Sequence, residues 1–302
     1  MDLNNPLVSI LMPVYNAHAY LVGALDSIRS QTYTNWELIA IDDYSTDDSF
    51  LTLVEYEKVD PRIKVYKNIT NLGVGKTLDK AVKMARGEFI ARMDADDSSY
   101  PDRLEKQVSF LLENPDVVAL GGQVRLINEK GKNIGVKLFP TDGNKLYTML
   151  YTSVPIQHPT LMINRTKLPA DFGWYGAWKK AQELYLYFQL VKYGKLANLR
   201  DFVLDYRFYA DSNSLKSPKD TYHITKQIRA EAKSRFGYKP SLSSKLIEVG
   251  QDMLVYILPD FLIRSFFKLI RAGKDRFIRK EYVTEISNVY SQAKHPLVKV
   301  FD

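Results

Sequence analysis

Phe89-Ile90-Ala91-Arg92-Met93 runs straight into Asp94-Ala95-Asp96-Asp97, so an apolar stretch of strand character ends in three carboxylates within four positions. Carboxylates this crowded repel one another, and a cation, basic partners or bulk water must relieve them. A divalent metal holding phosphate is the functional reading. The alternative is a solvated acidic turn in which Asp97 or Ser98 caps the next helix.

Upstream, short β-rich runs alternate with helical patterns. Val8-Ser9-Ile10-Leu11-Met12 predicts a strand, and the amphipathic stretch from Ala19 to Gln31 a helix. Trp36-Glu37-Leu38-Ile39-Ala40-Ile41 predicts a second strand ending at Asp42-Asp43, and a helix follows over Ser49 to Lys58, with Ser45 and Asp47 as cap candidates. A third strand spans Ile63 to Tyr66. Asn71-Leu72-Gly73-Val74-Gly75 then turns into a helix from Lys76 to Met84, which Arg86-Gly87 closes. This alternation implies an α/β fold, a parallel sheet covered by helices. Ligands in such sheets sit at the carboxyl ends of the strands, where Pro13-Tyr15, Asp42-Asp43 and Asp94-Asp97 all fall.

With 302 residues, 45% apolar residues and no evident repeat, the chain reads as one large domain plus an appendage. It has no cysteine, which excludes disulfides, thiolate metal sites and cysteine nucleophiles and leaves metal binding to oxygen or the four histidines. No charged-then-apolar leader opens it and no run of about 18 apolar residues occurs, so the expected location is cytoplasmic. The net charge of +7 suits phosphate-bearing ligands or an anionic lipid surface, and no nucleic-acid partner is expected.

Five ordered blocks resemble the family 2 glycosyltransferases with the GT-A fold, of the bacterial envelope-glycan type. They are Val8 to Asn16, Ile41 to Asp47, Asn71-Leu72-Gly73, Ala85 to Asp97 and Pro101-Asp102-Arg103-Leu104. The likeness continues more loosely through Gly121-Gly122 and Gln157-His158-Pro159-Thr160 to Tyr206-Arg207, about two thirds of the chain. It implies a Rossmann-like mixed, mainly parallel sheet with a helical C-terminal extension. The implied division is a catalytic domain over 1–216, with a nucleotide half at 1–120 and an acceptor half at 121–216, then a basic helical region over 217–302.

What the resemblance implies can be matched to chemistry. A nucleotide-sugar donor needs a base slot: Pro13 and Tyr15 offer a flat wall, and Asp43 can accept the imide proton of uracil. Asp42 is the weaker member of its pair. Asp94 is placed to meet the ribose or the transferred sugar, and Asp94 and Asp96 to hold Mn2+ or Mg2+ against the diphosphate, with Asp97 assisting. Gly73 belongs to the donor loop, and Lys76 and Arg92 are candidate positive charges beside it. Inverting displacement needs a base for the acceptor hydroxyl. The family's Glu-Asp pair aligns with Gln182-Glu183, so Glu183 stands for the catalytic aspartate, one methylene longer. Tyr209 stands where the family often has a metal-binding histidine, which predicts weaker metal binding. His158 reads as an acceptor-side or loop-positioning group.

After about Ser217 a basic helical stretch over Tyr222 to Phe236 leads to Leu254-Val255-Tyr256-Ile257-Leu258-Pro259. From Asp260 to Arg271, Asp260, Arg264, Lys268 and Arg271 share one helical face and Leu262, Phe266, Leu269 and Ile270 another. Such a helix fits the inner face of an anionic membrane, near a glycan or lipid-linked acceptor. Two other readings stay open. Gly73-Val74-Gly75-Lys76-Thr77 imitates the end of a P-loop, although Thr70 stands where the motif requires glycine. A non-catalytic module that binds a nucleotide-sugar or glycan is the other, motivated by Gln182-Glu183 and Tyr209.

Overall fold

The computed structural model describes residues 5–176, 178, 180–209, 218–259 and 262–263. Its first half alternates strand and helix: β1 (Val8–Val14), α1 (His18–Arg29), β2 (Trp36–Asp42), α2 (Ser49–Val59), β3 (Ile63–Lys67), α3 (Val74–Met84) and β4 (Phe89–Arg92). β1 and β2 are apolar on both faces, as strands sandwiched between helices must be. They pair in parallel with β3 and β4 in the order β3-β2-β1-β4. This is the predicted parallel sheet covered by helices, with the ends of α1, α2 and α3 all within two residues of expectation.

The sheet continues through β8 (Met162–Asn164), antiparallel to β4, to the long β6 (Val117–Ile127) and β9 (Lys195–Arg207), which pair in parallel. β5 (Ser98–Ser99) pairs with the far edge of β9, and β7 (Asn133–Lys137) pairs with β6. The longest ladders are parallel, so the sheet is mixed and mainly parallel, as the resemblance implies. Helices α1, α2 and α4 (Arg103–Glu113) cover one face around Leu21, Leu53 and Val108. α3, α5 (Gly143–Leu150), α6 (Gln182–Leu190) and α7 (Pro218–Arg235) cover the other, around Leu78, Leu146, Leu186 and Ile228.

Arg86-Gly87 does more than end α3. The buried Glu37 accepts from Ser9 Oγ (2.7 Å), Arg86 N (2.8 Å) and the Arg86 guanidinium (2.7 and 2.8 Å), while Gly87 N donates to Ser9 Oγ at 2.8 Å. A Cβ at Gly87 would lie 2.6 Å from the Leu7 carbonyl, so a side chain there would push the turn off β1. The Gly121-Gly122 pair likewise lets β6 approach its neighbours: added Cβ atoms would meet Asn198 Oδ1 at 2.4 Å and Val203 Cγ2 at 2.6 Å.

The C-terminal region packs on this body. α7 buries Ile228 and Ala232 in the second core, and Tyr238 stacks on Tyr147 and Tyr151. α8 (Leu242–Ile257) follows. The amphipathic stretch predicted over Asp260 to Arg271 lies outside the described residues apart from Leu262 and Ile263, as does the predicted boundary at 216/217.

Candidate active site

The loops after β1 and β2 fasten one another. Asn16 N donates to Ser45 Oγ (3.0 Å), Thr46 N to Asn16 Oδ1 (2.8 Å), Ala17 N to Ser49 Oγ (2.9 Å) and His18 N to Asp47 Oδ2 (3.1 Å). Ser45 and Asp47 are therefore cross-loop clasps more than caps, although Asp47 Oδ1 also accepts from Ser49 N. Asn16 and Tyr44 pay for this junction with left-handed backbone, at φ 49° and 67°. The third non-glycine residue in that region among the described ones is Ala181, at φ 53°, two residues before Glu183.

A cleft of about 230 Å³ opens at this junction, lined by Pro13, Tyr15, Tyr20, Asp43, Val74, Asp94, Asp96 and Tyr209 among others. The structure thus brings Pro13, Tyr15, Asp43, Asp94 and Asp96 together. Tyr15 is half exposed, as a wall for a flat ring requires. Asp43 is buried and fastens the loop that leads into α3, accepting from Leu72 N, Gly73 N and Asn68 Nδ2, each at 2.8 Å. Gly73 supplies the turn into α3 at φ 80°, which a side chain would strain.

Besides Gly73, three more predicted donor residues line no part of this cleft. Asp42 is fully buried and holds its own turn through Ser45 N (3.2 Å), with Lys67 Nζ 3.9 Å away. Lys76 is exposed on the first turn of α3. Arg92 is buried behind the acidic cluster, where its guanidinium donates to Asp94 Oδ1 at 2.6 Å and to the Met93 carbonyl. Burial opposes its charge and Asp94 sustains it, with a net upward shift of its pKa. Arg92 therefore aims Asp94 from behind.

The acidic residues remain crowded. Asp94, Asp96 and Asp97 each offer a carboxylate oxygen, all within 4.8 Å of one another. Burial and then the Asp94 charge push Asp96 up to about 6, against a hydrogen bond donated by Tyr209. Asp97 is raised well above the carboxylate range by burial, then by Asp94 and Asp96, although Arg207 N donates to its Oδ1 at 2.8 Å. Its Oδ2 is buried with no hydrogen-bond partner among the described residues. A proton or a cation would satisfy such an oxygen, and hard carboxylate donors suit Mg2+ or Mn2+, so the residues present fit the ion. The capping alternative fails, because α4 begins at Arg103 with Asp102 at its N-cap position.

Arg207 was legible only as part of a motif. It reaches this loop from the end of β9, donating from Nε to the Asp96 carbonyl at 2.9 Å and from NH1 to the Asn128 carbonyl at 2.8 Å, with its guanidinium over the Tyr20 ring.

Glu183 stands on the first turn of α6, outside the cleft lining, beside a buried polar cluster. Burial raises its pKa, Asp94 adds to the rise, and Arg92 opposes it. Tyr175 OH lies 3.0 Å from His158 Nε2, and burial followed by the Arg92 charge holds His158 well below the usual histidine range. His158 is therefore a neutral imidazole hydrogen-bonded to Tyr175. Tyr175, with its amide bonded to Asp79 Oδ1 at 3.0 Å, carried no sequence signal. The preceding helix is close by: a Cβ at Gly75 would meet Gln182 Cγ at 3.5 Å, so α3 and α6 meet beside the cleft.

A family model described as glycosyl transferase family 2 matches residues 9–171. The chain belongs to glycosyltransferase family 2. It is 30% identical over 218 residues, 72% of this chain and 82% of the relative, to the Escherichia coli UDP-Glc:alpha-D-GlcNAc-diphosphoundecaprenol beta-1,3-glucosyltransferase WfgD. Among solved structures, S. aureus TarS 1–349 in complex with UDP-GlcNAc has a TM-score of 0.62 at 23% identity, covering 86% of this chain and 72% of that one. Against the longer TarS chain the match spans 40% of its length. The mannosyltransferase PcManGT from Pyrobaculum calidifontis, in complex with GDP-Man and Mn2+, has a TM-score of 0.55 at 16% identity, covering 92% of this chain and 88% of that one. These likenesses establish the GT-A fold. They also remove the P-loop reading, since Gly73–Thr77 lies within the residues 9–171 that the family model matches.

Proposed function

We propose that this family 2 enzyme moves a sugar from a UDP-sugar to a hydroxyl of a glycan or lipid-linked saccharide, with inversion and with Mn2+ or Mg2+ bound. The observation that carries the reading is the convergence of Pro13, Tyr15, Asp43, Asp94 and Asp96 on one cleft at the strand ends. WfgD, whose name gives a UDP-glucose donor and a diphosphoundecaprenol-linked acceptor, and the TarS complex with UDP-GlcNAc support uridine as the base. The PcManGT complex with Mn2+ supports the ion.

On this reading Pro13 and Tyr15 flank the base, Asp43 accepts its imide proton, and Asp94 orients the ribose or sugar. Asp94 and Asp96, assisted by Asp97, would hold the ion, which when bound supplies Lewis-acid neutralisation of the departing diphosphate. Glu183 takes the proton of the acceptor hydroxyl. Its raised pKa suits a base that works near neutral pH. Gly73, Arg92 and Asp42 serve indirectly, by shaping the donor loop, aiming Asp94 and holding the β2 turn, and Lys76 adds positive potential from outside the cleft.

The division at 216/217 is proposed as one of function, since α7 buries Ile228 in the catalytic body. A cytoplasmic place at the inner face of a membrane follows from a lipid-linked acceptor. Mass-resolved binding of a UDP-sugar panel with Mn2+, followed by UDP release, tests the whole reading. One UDP-sugar should bind and turn over, and Glu183→Gln should bind it without turnover. Preference for GDP- or dTDP-sugars would overturn the base assignment, and binding without turnover by any donor would leave a non-catalytic module.

A further inference from the structure

Helix α8 is seated in reverse for a helix that packs a soluble domain. Its polar side faces the body: Glu248 Oε2 accepts from Tyr151 OH at 2.6 Å, Gln251 Oε1 from Arg229 NH1 at 3.0 Å, and Asp252 Oδ1 from Lys226 Nζ at 2.7 Å. Its apolar side faces outward, where Leu242 is 75% exposed, Ile257 71% and Tyr256 91%. Leu246, Val249 and Met253 are exposed between them. At 3.6 residues per turn the arc from Tyr256 round to Ile247 spans about half the circumference, wider than the stripe a single partner helix covers.

A groove of about 660 Å³ between α7 and α8 borders this face, lined by Lys219, Lys226, Asp252, Met253 and Tyr256 among others, with Lys226 Nζ 2.7 Å from Asp252 Oδ1. The sequence that follows is basic: residues 260–281 hold seven Lys and Arg against three Asp and Glu, interleaved with Phe261, Phe266, Phe267 and Phe277. A broad apolar face, an aromatic at its end and positive charge beside it match the acyl boundary and headgroups of an anionic bilayer.

We propose that the outward face of α8 docks on a lipid bilayer bearing anionic headgroups. Leu246, Val249 and Met253 enter the acyl boundary, and Tyr256 sits at headgroup level beside Lys219 and Lys226. The inference deepens the peripheral location proposed above, and it depends on neither the metal nor the base.

Co-sedimentation of the full chain with vesicles of phosphatidylcholine, alone or mixed with phosphatidylglycerol, tests it. The protein should pellet with the mixed vesicles, less so at high salt, and the combined Leu246→Ser, Met253→Ser and Tyr256→Ser substitutions should weaken partitioning at least tenfold. UDP binding measured in parallel should be equal for both proteins, which shows that the variant is folded and separates failure here from failure of the donor reading. Equal pelleting of the two proteins would overturn the proposal. Self-association of the lipid-free protein that the substitutions abolish, without pelleting, would assign the face to a second copy. Protection of Met253 and Tyr256 from hydroxyl-radical labelling in the lipid-free monomer would assign it to residues 264–302 instead.

Discussion

At the amino-terminal end of the parallel strands, Glu37 is buried with both carboxylate oxygens bonded, and at the carboxyl-terminal end a half-buried Asp96 and a buried Asp97 are crowded against one another. Burial opposes ionisation in both places. For Glu37 the hydrogen bonds of Ser9 and Arg86 overcome it and the pKa falls, whereas for Asp96 and Asp97 the Asp94 charge adds to it and the pKa rises. One end of the sheet spends its charge on stability, while the other keeps charge that only a proton or a ligand can satisfy.

Four experiments can break or sharpen this contrast. The largest expected effect is Glu183→Gln, which should lower kcat by roughly 10²–10⁴ while leaving UDP-sugar affinity unchanged in a binding titration. Retained turnover would place the base elsewhere.

Asp96→Asn should weaken Mn2+-dependent donor binding by roughly 10–100-fold, read by calorimetry. The same change should raise the melting temperature of the metal-free protein by a few degrees, on the order of 1 kcal/mol or more. The sign follows from the raised folded pKa, about 6. The ionised carboxyl costs stability above that pH, and the cost fades as pH falls toward the unfolded value. The variant's advantage should therefore be full above about pH 6 and absent near pH 4. A loss of stability at pH 7.5 would mean that the cluster is satisfied within the protein.

Glu37→Gln should behave in the opposite way, losing about 2 kcal/mol in urea unfolding at pH 7 because it leaves Arg86 and Ser9 poorly paired. Its folded pKa is lowered, so the wild-type advantage is present above the unfolded carboxylate pKa and is lost as pH falls through the folded one. Donor affinity should not change. The smallest effect concerns Tyr209, whose hydroxyl donates to Asp96. Tyr209→His should tighten Mn2+ binding by about tenfold, because an imidazole nitrogen ligates where a phenol does not. An unchanged affinity would show that position 209 lies outside the ion's reach.

Much of the donor side was legible because its motifs are contiguous and end strands. Val8–Val14, Trp36–Asp42 and Phe89–Arg92 are each mostly apolar strands, and a parallel sheet places their carboxyl ends in one crevice whatever the details. Roles within that crevice were less visible. Arg92 and Lys76 read alike as positive charges near phosphate, yet one is buried behind Asp94 and the other is exposed on α3. Tyr175 and Arg207 act through contacts across 17 and 110 positions, which no local pattern encodes.

By itself the sequence determined the family, the parallel α/β half and five of the residues that meet at the cleft, Pro13, Tyr15, Asp43, Asp94 and Asp96, because each depends on short-range periodicity and on motifs read in order. Only the tertiary structure decided which carboxylates are satisfied. Glu37 finds Arg86 49 positions away, and Asp97 finds Arg207 110 positions away at the end of β9, through strand order that periodicity does not specify. It also decided which way α8 faces. Amphipathicity is a property of the chain, but the side that is buried depends on the partner, and here Tyr151, Lys226 and Arg229 take the polar side and leave the apolar side outward.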